Sequence, residues 1–94
     1  MRIVVSRAAG ADVRRIADFL QTADQALALR AVALVRAAVI GLRELSERGV
    51  VINRNGDRRL AVPFGRAAYL LDYRVDRARG TVTILRVRHS REAR

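Results

Sequence analysis

Seven side chains in the second half of the chain have types suited to chemistry on an anion: Arg58, Arg59, Arg66, Arg86, Arg88, His89 and Arg91. His89 is the only histidine. A guanidinium beside an imidazole suits phosphodiester chemistry. The arginine stabilises charge on the phosphorane, and the imidazole, which titrates near neutrality, shuttles a proton. Arg66 opens one expected strand and His89 closes the next, and in a meander those two ends lie close together. Arg66 and His89 are therefore the candidate catalytic pair should the protein cut RNA. Arg58, Arg59, Arg86, Arg88 and Arg91 are the candidate target-binding residues. The plainer readings stand beside these: arginines at strand ends form a solvated rim, and a lone histidine serves as a surface or hydrogen-bonding residue. Strand alternation also places His89 on the face of Leu85 and Val87, opposite Arg86 and Arg88. If that face is the core, His89 is a poor catalyst.

Other chemistries are excluded by what is missing. There is no cysteine, so no disulfide, thiol catalysis or cysteine zinc site. One histidine and nine scattered acidic residues do not make an ordinary metal site. No P-loop or GxGxxG is present, and Ser6, Ser46 and Ser90 lack the glycines of a nucleophile elbow. No metal and no cofactor is expected. Tyr69 and Tyr73 share one strand face with Leu71; they suit base stacking, but more simply they cover core surface.

The elements that must position these residues lie mainly in the last third. Leu60, Val62 and Phe64 alternate with Arg59, Ala61 and Pro63. Tyr69, Leu71, Tyr73 and Val75 alternate with Ala68, Leu70, Asp72 and Arg74. After a turn at 76–80 comes a β-branched run from Thr81 to Ile84, leading to His89. These period-two runs between turn residues predict three antiparallel strands. Pro63 marks its strand as an edge, open to a partner's strand.

Upstream, Arg2 to Val5 reads as a first strand. Ser6 is the expected N-cap of a helix to about Leu20, with Val13, Ile16, Ala17 and Leu20 inward and Asp12, Arg14, Arg15 and Asp18 outward. Thr22 and Gln25 have capping-box spacing and open a longer helix. Its seam runs through Leu27, Ala31, Leu34, Ala38, Leu42 and Leu45 to a C-terminal cap at Gly49. Leu34→Asp is expected to unfold the domain. The predicted class is α+β: a small, mostly antiparallel four-stranded sheet with a helical hairpin packed on one face, in the order β-α-α-β-β-β.

Ninety-four residues, half of them apolar, make one domain spanning 1–94. No apolar run approaches the ~20 residues of a membrane span. The N-terminus lacks a signal-peptide layout, so a cytoplasmic location and no membrane partner are expected. The net charge of +10 comes from nineteen arginines without a lysine. Residues 1–49 hold eight arginines and five acids, +3, whereas residues 50–94 hold eleven and four, +7. The positive field thus concentrates on the strand half and favours RNA, DNA or an acidic protein as partner.

The segment RRLAVPFGRAAYLLDYRV, followed by TVTILRVRHSREA, resembles the RelE/ParE superfamily of bacterial type II toxins, and the element order and size agree over nearly the whole chain. The resemblance implies a toxin neutralised by a cognate antitoxin, whose extended and helical segment wraps the toxin across helices and sheet in a hetero-oligomer. RelE-like members are ribosome-dependent mRNA endoribonucleases that use basic residues and often a C-terminal tyrosine or histidine; ParE-like members act on DNA gyrase. Arg66 and His89 match an arginine and a histidine of one ribonuclease branch. The chain departs from RelE-like members in lacking lysine and any tyrosine after Tyr73, and its RVRHSREA ending is similar to the ParE side. The expectation is a ParE-like toxin acting on gyrase. A RelE-like ribonuclease is the alternative, and a basic nucleic-acid-binding module without toxicity is the second.

Overall fold

The computed structural model describes residues 1–92. Its elements are β1 (Arg2–Val5), α1 (Arg7–Ala23), α2 (Gln25–Gly41), β2 (Val50–Val51), β3 (Arg58–Phe64), β4 (Ala67–Asp76) and β5 (Thr81–His89). They form one mixed sheet in the order β1-β5-β4-β3-β2, with the helices on one face. The expected α+β class and meander hold, but the sheet has five strands, not four. The extra one is β2, whose two residues pair antiparallel with Arg58 and Arg59, too short a run to show a period in sequence. β1 pairs parallel with β5 from Arg2↔Thr81 to Val5↔Ile84. The pairing of β3 with β2 reaches only to Arg59, so Pro63 sits where β3 has an open side and its missing N–H costs no ladder bond.

Two helix boundaries differ from the sequence reading. Ser6 caps α1 as expected, its Oγ accepting the Ala9 N–H at 3.0 Å. α2, however, is capped by Asp24, whose Oδ1 accepts from the N–H groups of Ala26 and Leu27. The Thr22 hydroxyl instead donates to Phe19 O. Asp24 wins because a carboxylate at the N-cap satisfies two orphan donors and meets the positive end of the dipole. At the far end, α2 stops at Gly41, not at Gly49. Arg43 N–H bonds Ile40 O, and the carbonyl of Arg43 takes the N-terminal ammonium of Met1 at 2.9 Å. Leu45, expected inside, is 62% exposed, and Leu34 is only half-buried.

The core lies between helices and sheet. Ile16, Ala31, Val35 and Leu42 meet Leu60, Val62, Leu71, Val82, Ile84 and Val87, with Tyr69 and Tyr73 wholly enclosed. Both tyrosines therefore serve the core. The Tyr73 hydroxyl accepts the Gly49 N–H at 2.7 Å. A Cβ at Gly49 would stand 2.7 Å from that oxygen and 2.9 Å from Arg59 O, so the close approach admits only glycine. Gly49→Ala is expected to cost about 2 kcal/mol through overpacking, or roughly 10 °C in Tm for a domain of this size, read by thermal denaturation.

Candidate functional site

Beyond Ile84, β5 has no strand on its outer side, because β1 ends at Val5. Ser6 finishes the seam: its N–H bonds Ile84 O and its hydroxyl donates to Leu85 O. Farther along, α1 takes over. Asp12, 4% exposed, accepts the Val87 N–H at 2.8 Å and the Arg86 guanidinium at 2.8 and 3.0 Å. Helical spacing predicts an outward Asp12, and the structure turns it inward. Its partners lie seventy-four and seventy-five residues away, and no local pattern reports them. A β-bulge supports the arrangement: Asp72 pairs with Arg86 but Tyr73 with Ile84, which leaves Leu85 as the extra residue.

Past this clamp, α1 and the sheet leave an open cleft of about 580 Å³. Ile16, Phe19 and Leu20 of α1 form one wall, and Phe64 and Tyr69 form the other. Arg15, His89, Arg91 and Glu92 form the polar end. The His89 ring stands edge-on to Tyr69, centroids 5.5 Å apart. Its Nδ1 accepts the Arg91 N–H at 3.2 Å, which leaves the proton of the neutral ring on Nε2. Glu92 ties the end down: one carboxylate oxygen accepts the His89 N–H, and the other pairs with Arg15 of α1. Burial, helped by the charge of Glu92, raises the Tyr69 phenol above its usual range, so it remains protonated at neutral pH.

The seven sequence candidates separate into three groups. Arg58, Arg59 and Arg86 work inside the fold. Arg58 donates to the carbonyls of Glu47 and Gly49, while Arg59 holds Asp72 in a two-pronged pair at 2.7 and 3.0 Å. Arg86 holds Asp12 in the same way. Arg88 lies opposite Leu70 on the sheet face away from the helices, half-buried, its Nε without an acceptor. Arg66 and Arg91 are exposed. His89 and Arg91 share the cleft, whereas Arg66, in the β3–β4 turn, is not part of its lining. No group of three or more metal-ligating side chains occurs among the described residues.

Two aspartates make the fold acid-sensitive. Burial pushes the Asp12 carboxyl up, but bonds from Arg86, the Val87 N–H and Arg15 outweigh it, and the net pKa lies below the ordinary 3.8. Asp57, bonded to Arg74 at 2.7 and 3.0 Å and to Asn53, is also lowered. A lowered folded-state pKa means that the unfolded chain binds more protons near and below pH 4, so stability rises with pH there. Stability is expected to be complete above that range and to fall as the pH drops through the folded-state values. The double variant Asp12→Asn, Asp57→Asn should flatten this acid limb in urea titrations at stepped pH; an unchanged slope would show that other carboxyls carry it.

A sequence model of the family described as "ParE toxin of type II toxin-antitoxin system, parDE" matches residues 3–94. Among solved structures, the chain is similar to one from the "Chromosomal ParDE TA system from P. aeruginosa". The TM-score is 0.77 at 26% identity, over 93% of this chain and 92% of that one. No curated protein sequence matches.

Proposed function

Because the chain belongs to the ParE toxin family of type II toxin–antitoxin systems, which implies a cognate antitoxin, we propose that it arrests growth by acting on DNA gyrase and that its antitoxin is acidic. The observation that carries the choice of target is that Arg66, the arginine that the resemblance to a ribonuclease branch pairs with His89, does not line the cleft that holds His89. A ribonuclease of that branch would need the two on the same phosphate, the imidazole as proton shuttle and the Arg66 guanidinium as charge stabiliser. Arg59, Arg74 and Arg86 along these strands already neutralise Asp72, Asp57 and Asp12, and Arg58 is taken up by backbone carbonyls. The uncommitted charge on Arg66, Arg88 and Arg91 suits a docking surface better than a reaction centre. The net charge of +10 would speed encounter with an acidic antitoxin, while buried apolar contacts would set the off-rate.

The ribonuclease reading retains one observation in its favour, the placement of His89, Arg91 and Tyr69 at a single cleft. Induced expression without antitoxin separates the two. Gyrase action predicts a DNA damage response and altered plasmid supercoiling with translated mRNA intact. Cleavage of mRNA at A-site codons with undamaged DNA would overturn the proposal. Co-expression of the antitoxin should restore growth in either case.

A further inference from the structure

Both helices pack on one face of the sheet, and among the described residues the other face carries no second layer. Near the β3–β4 turn that bare face is low. Ala61 and Pro63 of β3 stand beside Leu70 and Ala68 of β4, and they alternate with the buried Leu60, Val62, Tyr69 and Leu71 of the core side. Arg88 of β5 stands opposite Leu70 on the same face, and Arg66 occupies the turn before Ala67. Neither arginine makes an ion pair among the described residues. The carboxylate next along β4, Asp72, is already held by Arg59. Arg88 is the sharper case. Its Nε is enclosed without an acceptor, so packing fixes the stem while the guanidinium has no counter-charge. A planar guanidinium held in place and left unpaired is a ready partner for a phosphate, whose oxygens match its fork.

The make-up of this face decides which phosphates fit. The chain has two tyrosines and two phenylalanines, and none of them is on it. Tyr69 and Tyr73 are buried on the core side, Phe64 lines the cleft, and Phe19 belongs to α1. A surface without aromatic platforms cannot stack the unpaired bases of a single strand. It can lie against a duplex, whose bases are paired and whose phosphates stand outside. Arg66 and Leu70 are four residues apart, on the order of 13 Å along a strand, which is comparable to the ~12 Å width of a major groove. Arg66 and Arg88 can therefore take phosphates on the two sides of one groove, while the small side chains between them let the backbone come close. We propose that this sheet face, through Arg66 and Arg88, seats the phosphate backbone of duplex DNA. The choice of DNA over duplex RNA rests on the gyrase reading above: the toxin then meets gyrase on its DNA and touches both.

A protein of net charge +10 attracts DNA to any part of its surface, so the test must separate a seat from a field. Anisotropy of a short fluorescein-labelled DNA duplex is followed with the full chain at stepped salt. The double variant Arg66→Gln, Arg88→Gln is compared with Arg30→Gln, Arg36→Gln, which removes the same charge from exposed positions of α2. Loss of two phosphate contacts should lower the salt slope by about 2 and weaken binding at least about tenfold, with circular dichroism and Tm close to those of the parent. The α2 double variant should keep the parent's slope. If Arg88→Gln does not fold, Arg66→Gln alone should lower the slope by about 1. Three results would overturn the proposal. One is an equal loss from both double variants. Another is tighter binding of single-stranded DNA or duplex RNA than of the DNA duplex. The last is a first double variant that keeps the duplex but loses contact with DNA-free gyrase, which would make this face a protein surface. A parent that binds the duplex as expected yet leaves gyrase supercoiling untouched would sink the gyrase reading and keep the seat for DNA.

Discussion

Expressed without antitoxin, a His89→Ala variant is expected to arrest growth as fully as the parent. The ring is held between Tyr69 and the Arg91 N–H, and the backbone N–H of His89 is taken by Glu92. These are the contacts of a residue that closes a strand. If the protein were a ribonuclease, loss of its general acid or base would lower cleavage by roughly 10²–10⁴-fold. Arg66→Ala would then cost on the order of 10²–10³-fold, through lost stabilisation of the phosphorane. The double variant would be little worse than the poorer single one, since groups that act as a unit are not additive. Under gyrase action, none of this follows; toxicity should instead weaken when Arg88 and Arg91 are both replaced. Colony counts after induction, beside transcript mapping, separate the cases. A folded His89→Ala protein that no longer kills would count decisively against gyrase action.

The largest stability effect is expected from Leu71→Asp. Leu71 sits at the centre of β4, between Leu60 and Val87, and is wholly buried. No cation reaches that place, so an aspartate there must either stay charged without a partner or take up a proton. Burying an unpaired polar group costs several kcal/mol, which rivals the ~5–15 kcal/mol that holds a domain of this kind. The variant should be unfolded at neutral pH and lack a cooperative melt. Leu34→Asp is the gentler case, because Leu34 lies at the margin of the core. A Leu71→Asp protein with the parent's Tm would show that this strand face is not the interior.

The meander and the inward stripe of each strand were legible because alternation is a local property. Leu60, Val62, Tyr69, Leu71 and Tyr73 all point where their spacing says. β2 was not legible, since two valines after a glycine carry no period. The end of α2 was missed for a related reason. The apolar spacing runs on through Leu42, but the backbone tightens to i→i−3 bonds between Val39 and Arg43. At the site, the sequence named His89 and Arg91 but not the α1 side of the cleft or the clamp at Asp12. A charged residue on a helix reads as solvated unless its partner is known. Here the partner is the uncovered backbone of a strand more than seventy residues downstream. The same blindness made Arg59 and Arg86 look free.

The parallel pairing of β1 with β5 ties Arg2 to Thr81 and Val5 to Ile84, across nearly all the other elements of the fold. At about 5–20 residues per second, translation leaves residues 2–5 waiting on the order of 5–20 seconds for their partner strand. During that interval the β1 edge of the sheet has no partner strand, and the cleft has no polar end, because His89 and Glu92 are still to come. Folding of the isolated chain should accordingly be slow for its size, with a single late phase set by closure of this longest loop.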